Sequence, residues 1–408
     1  MSFPKEIARR LIYLVKRKPY KIKLYETASS LNNIRAKSEK EFFFGYYDRC
    51  PERNGKVIFH EMNDGFVKII INDLDTGSEI VIGESRAFNW QMGSRTLWVD
   101  DDTITFNDFD GDKYVSRWYS VSEGKIVKTM PCPTMDIFGK DYLLAPNFQR
   151  LRTVNYDYAY LTLPELSATD FDNYHDDGVW MYNIKKNEKN LLVSLDDILK
   201  CDSPQLHKEG KHCVNHIVIC PDGSKFMFIH RYIFDGKKYD RLMLYDFNTL
   251  KCLLDDPVQS HFCWLDHSTI MGYCEYNKKI GWHQVDVLTV NVTKLDELTK
   301  THPDNGHPTP FGKWIVIDSY PGLDRMQSLI AYHRETKEVK KICDVFHDMS
   351  HHHYNRCDLH PRFTDNGKRI YFDSIYSGKR QLCSINIKLE LRRFTWQWLQ
   401  DALKDVKE

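Results

Sequence analysis

A turn signature recurs seven times along this chain, each time between two apolar runs, and no other feature of the sequence constrains the fold as much. In the clearest copy Pro221, Asp222 and Gly223 follow Ile217, Val218 and Ile219 and precede Phe226, Met227, Phe228 and Ile229. Proline presets φ and glycine accepts positive φ, so the segment is a turn for a stated physical reason. The other copies centre on Asn54 and Gly55, Asp100 to Asp102, Gly139, Asp266 to Ser268, Gly312, and Asn366 and Gly367. The unit is roughly 45–50 residues long, the size of a four-stranded propeller blade. Helical periodicity is confined to the two ends. The expected fold is therefore all-β: a seven-bladed β-propeller over 36–390, preceded by a basic amphipathic segment over 1–35 and followed by a helix over 391–408. A stretch over 151–188, rich in Asp and Tyr, interrupts the third unit and is expected to overhang one face.

Composition narrows the function. Lys plus Arg and Asp plus Glu both number 57, so no global field draws the protein to nucleic acid. Aromatic residues reach 13%, which suits pleated strands and also surfaces that stack on sugar rings. The 11 cysteines include no CxxC pair and read as buried free thiols in a reducing compartment. There is no long apolar run for a membrane span and no secretory signal pattern, so the cytoplasm is the expected address. At the start, Phe3, Ile7, Leu11, Ile12 and Leu14 interleave with Lys5, Arg9, Arg10, Lys16, Arg17 and Lys18. We expect a helix over 3–17 packed on the propeller with its apolar stripe covered. Peripheral contact with the inner face of a membrane is the alternative.

The innermost strand of each blade lines a propeller's channel. Four consecutive units place a histidine just before that strand: His216, His261, His307 and His360. The second strands end in a further polar set, His60, Asn107, Asn147, His230, Glu275, Asp318 and Asp373. Arg231 follows His230, while Arg356 and Asp358 precede His360. Singly, such residues satisfy backbone groups at blade ends. Four equivalent histidines beside Arg and carboxylates point instead to a polar crater that binds a ligand, and three histidines suffice for a divalent cation. The run His351, His352 and His353 reads as a solvated loop.

At these residues the chain resembles the oligogalacturonate lyase family of seven-bladed propellers. Val214, Asn215 and His216 before the Pro221 turn carry the likeness, with Ser260, His261 and Trp264, then Gly306, His307 and Asp318, then Arg356, Asp358, His360 and Asp373. It covers about the C-terminal half well and the first three blades weakly. Gly45, Tyr46, Tyr47 and Asp48, with Gln91, Met92, Gly93 and Ser94, resemble relatives of that family without assigned activity. The resemblance implies β-elimination on a uronate-containing oligosaccharide, assisted by a manganese-like ion that acidifies the C5 proton. It makes His261 and His307 metal ligands. Thr309 and Asp304 stand where that pattern has a further His and a Gln, and His360 is taken as the replacement. His216, His230 and Arg231 are expected around the proton to be removed, with Arg231 as base. Arg356, Asp358, Asp318 and Asp373 are expected to contact an acidic glycan. A second reading is a propeller that binds or transfers glycans in surface polysaccharide assembly, although no nucleotide motif supports transfer.

Overall fold

Strands in the middle of each repeat are apolar without alternation because neighbouring repeats cover both of their faces. Phe226–Phe234 and Trp314–Asp318 are buried almost throughout, whereas the outermost strands Glu79–Ser85 and Lys125–Met130 are largely exposed. That gradient runs outward from an axis. The computed structural model describes residues 3–35, 38–201, 203–204 and 206–389, whose strands form seven antiparallel blades. The innermost strands, in blade order, are Phe42–Phe43, Leu97–Trp98, Asp136–Phe138, Lys211–Ile219, Gln259–Trp264, Pro308–Phe311 and Arg362–Phe363. The fold expected from the turns is the fold observed. The helix expected over 391–408 lies outside the described residues.

The N-terminal boundary differs from expectation. Ala28–Asn33 pairs with Gln381–Ile387 as the outermost strand of blade seven, and Ile22–Leu24 adds a fifth strand to blade six beside Val339–Phe346. The propeller therefore starts at Ile22 rather than at residue 36, and a strand from the N-terminus closes the ring. Ala28–Asn33 is mostly polar because an outer strand buries little, which hides it in the sequence.

The turns behave as their residues dictate. Gly223 has φ +71°, and a Cβ there would sit 2.6 Å from the Phe138 ring of blade three, so the position requires glycine twice over. The interruption of blade three is shorter than expected. It runs from the end of Tyr142–Ala145 to Gly178–Asn183, which is already the third strand. It carries two short helices, Leu151–Val154 and Ala168–Asp172, and the 3-10 turn Tyr156–Tyr158.

The N-terminal helix Phe3–Lys16 is present, but its apolar stripe is not covered: Leu11, Leu14 and Val15 are exposed. No described helix is long and apolar enough to cross a membrane. All 11 cysteines are free and eight are buried.

Candidate functional site

Backbone bulges build the site. In blades four and five the pairing register slips between Asn215 and Val218 and between Ser260 and Cys263. His216 and His261 fall within those slips at φ 52° and 43°, and His360 has φ 47° ahead of its own inner strand. Left-handed backbone at a side chain with a Cβ costs on the order of 1 kcal/mol. A bulge re-aims its side chain, and here blades four and five each use one at a histidine, while His360 reaches the same left-handed backbone just ahead of its strand. The four rings form a chain, with centroids 5.4 Å apart from His216 to His261, 3.9 Å from His261 to His307 and 4.2 Å from His307 to His360. All four residues are buried.

Two of these rings are anchored on one side and open on the other. His307 Nδ1 donates to Asp318 at 2.9 Å, and His360 Nδ1 donates to the Gly45 carbonyl at 2.7 Å. Asp318 also accepts the backbone N–H groups of His307, at 2.7 Å, and His360, at 2.9 Å. Burial pushes the Asp318 pKa up, but His307 and these hydrogen bonds outweigh it and hold the carboxyl below its ordinary value. The Nε2 atoms of His307 and His360 are buried without a hydrogen-bond partner. Donor atoms of His307, His360 and Asp358 all lie within 4.8 Å of one another. Imidazole that donates its outer N–H to a carboxylate or carbonyl while its inner nitrogen stays free is the usual arrangement of a metal-ligating histidine. Two imidazoles and a carboxylate suit a divalent transition metal of the manganese kind, so the residues fit such an ion. His261 packs against this trio rather than joining it, and its Nδ1 meets Ser260 Oγ at 2.9 Å. Asp358, expected to touch substrate, takes its place. Thr309 turns elsewhere, its hydroxyl between the Tyr47 and Pro361 carbonyls.

His216 differs from its neighbours: neither ring nitrogen has a partner. Burial first, and then the charge of Arg231, hold its pKa well below the usual histidine value. Burial thus favours the neutral imidazole, and no protein group hydrogen-bonds to either of its nitrogens.

Other expected residues have different roles. Arg231 pairs with Asp240 at 2.5 and 3.2 Å, and although burial opposes its charge, Asp240 pushes its pKa further up. A guanidinium so held is no base. His230 belongs to a separate network, bonded to His212 at 2.9 Å and facing Arg241, so it does not join the cluster. Asp373 accepts the backbone N–H groups of Phe44 and Gly45, both at 2.9 Å, and Arg362 at 3.0 Å. Its oxygens are committed to positioning the chain. Arg356 bridges Asp358 and Asp157. Of the histidine run, His351 lies partly buried between Glu41 and Asp348, and its neighbours are exposed.

The residues that sequence reasoning missed are aromatic. Tyr46 and Tyr47, from the loop inside blade one, are buried among the histidines. The Tyr46 ring is 5.6 Å from His216 and 5.5 Å from His360. Its hydroxyl has no partner, while that of Tyr47 donates to the Phe262 carbonyl. Gly45 at φ +115° lets the loop pass, since a Cβ would lie 2.5 Å from the Met92 carbonyl carbon. The signal was the aromatic run from Phe42 to Tyr47, of which the inner strand Phe42–Phe43 accounts for the first two residues alone. Tyr158 of the blade-three insertion, which was expected to overhang one face, packs 4.8 Å from His216. A cavity of 600 Å³ bounded by Asp304, Asn305, Tyr320, Arg325 and His353 adjoins the histidines, the Tyr320 ring being 5.8 Å from His307.

Fold and cluster together define a propeller with a histidine and carboxylate centre in its channel. No protein-family model and no curated protein matches the chain. Among solved structures it is similar to an oligogalacturonate lyase in complex with manganese, at 17% identity and TM-score 0.59 over 91% of this chain and 97% of that one. It is also similar to the oligogalacturonate lyase of Vibrio parahaemolyticus, at 14% identity and TM-score 0.58 over 91% and 98%. The tricorn protease matches 87% of this chain and 36% of its own, at 9% identity and TM-score 0.51. The likeness is one of fold, and it extends over nearly the whole propeller.

Proposed function

We propose that this protein cleaves uronate-containing glycans by β-elimination, with His216 removing the C5 proton. The observation that carries this reading is a buried, neutral histidine with both ring nitrogens unpaired, in one chain of rings with two further histidines whose Nε2 atoms are unpaired. General-base catalysis needs an unprotonated acceptor at neutral pH, which His216 supplies and Arg231 does not. Its nitrogen takes the C5 proton, the C5–H electron pair forms the C4–C5 double bond, and the C4–O bond breaks. Tyr46 remains protonated because burial pushes its pKa well above the ordinary phenol value. Its unpaired hydroxyl is a donor for the departing oxygen. Arg231 stays cationic and suits a carboxylate contact. His307, His360 and Asp358 would hold the metal ion, and such an ion, when bound, neutralises the uronate carboxylate and makes the C5 proton more acidic.

The test is direct. Purified protein is mixed with a panel of uronate oligomers and manganese, and the ultraviolet absorbance of the conjugated unsaturated uronate is followed. Product that appears and stops on adding a chelator supports the reading. Glycan binding by calorimetry, without product from any oligomer, would replace it with a glycan-binding role.

A further inference from the structure

The N-terminal helix Phe3–Lys16 turns its apolar side away from the protein. By helical spacing Leu11, Leu14 and Val15 share one arc, while Tyr13, Lys16 and Arg17 share the other. The middle of the second arc meets the propeller, where the Tyr13 ring lies tilted 6.0 Å from Phe346 of blade six, while Lys16 and Arg17 on either side of it stay exposed. Just beyond the helix, Lys18 pairs with Asp324 at 3.7 Å, and the Phe346 N–H donates to the Lys21 carbonyl at 2.7 Å. The apolar arc is left outside, with Leu11 59%, Leu14 55% and Val15 86% exposed. A surface helix of a globular protein ordinarily does the reverse. Charge is as uneven as polarity. The chain as a whole is balanced, yet residues 3–24 carry eight Lys or Arg and one acid, Glu6.

We infer that this helix lies in the plane of an anionic lipid bilayer, its apolar arc among the acyl chains and its basic residues at the headgroups. With 14 residues it is too short to span a bilayer, and an exposed apolar arc flanked by cations is what an in-plane helix requires. The anchor is also joined to the site. Asp324, which holds Lys18, belongs to the same loop as Tyr320, whose ring packs against His307 and lines the 600 Å³ cavity. A bilayer-bound molecule thus holds that cavity close to the lipid surface. The inference stands apart from the lyase reading, since docking needs neither the histidines nor a metal.

Flotation of the full chain with vesicles tests it, using phosphatidylcholine alone and phosphatidylcholine with phosphatidylglycerol. The protein should float with the anionic vesicles, lose that binding in high salt, and stay behind with the neutral ones. Leu14→Gln with Val15→Gln should lower binding about tenfold or more. Lys16→Gln with Arg17→Gln should lower it about twenty-fivefold at low salt, at about fivefold per cation. All four side chains are exposed, so the melting temperature should not move. Absence of flotation with anionic vesicles, or equal flotation of both double variants, overturns the inference. So does a dimer that the Leu14 and Val15 changes dissociate without any vesicle binding, because a second copy would then be what covers the arc.

Discussion

Acidification from pH 7.5 to 5 should destabilise the fold through histidines that the interior keeps neutral. Burial pushes the pKa of His60 and His212 down to about 4, and burial with the neighbouring Arg325 pushes His347 down to about 3. In the unfolded chain each titrates near about 6.5. Between those values the unfolded state binds protons that the native state does not, so stability falls as pH falls. At pH 5 one such residue contributes a loss of roughly 2 kcal/mol relative to pH 7.5, and the three together roughly 6 kcal/mol. That is comparable with the whole stability of an ordinary domain. His216, His261 and His360 shift in the same direction. His351, raised by its hydrogen bond to Glu41, opposes them alone among these rings. Urea unfolding followed by tryptophan fluorescence across this range is the assay, and its midpoint should fall steeply below about pH 6.5. A midpoint that stays level from pH 7.5 to 5 would mean these rings are protonated in the folded protein, which would refute the argument.

Asp318→Asn keeps the shape but places an amide donor opposite the N–H of His307 or His360. Manganese affinity, read by calorimetry, should fall about 10–100-fold without loss of the fold. Arg362→Met leaves Asp373 as an uncompensated buried carboxylate and should cost about 3–5 kcal/mol in urea unfolding. Deleting residues 1–18 removes the Tyr13–Phe346 and Lys18–Asp324 contacts and should lower the melting temperature only slightly. Deleting 1–35 also removes Ile22–Leu24 and Ala28–Asn33 and bares the edges of blades six and seven, so it should yield aggregation-prone protein by light scattering.

The blade count was legible because turn chemistry is local: proline, glycine and Asx residues mark each repeat whatever packs around it. The closing strand was not, since Ala28–Asn33 owes its pairing to Gln381–Ile387 at the far end of the chain. Convergence of His216, His261, His307 and His360 followed from their equivalent places in the repeat. Their division of labour did not, because it depends on atoms contributed from elsewhere. Asp318 and the Gly45 carbonyl orient His307 and His360, Asp358 completes the trio, and nothing claims the His216 nitrogens. Arg231 read as a base only while Asp240 across the hairpin was out of view. The N-terminal helix was legible from its period, but which way it faces is set by Tyr13 meeting Phe346.

The central claim is that His216 is the base and stands outside the metal trio. Initial rates of unsaturated-uronate formation, measured alongside manganese binding for the native protein and for His216→Ala, test it most directly. The native protein should form product, and the variant should bind manganese as tightly while its turnover falls by about 10²–10⁴. A variant that keeps the native rate, or one that loses the metal together with the activity, would contradict the assignment.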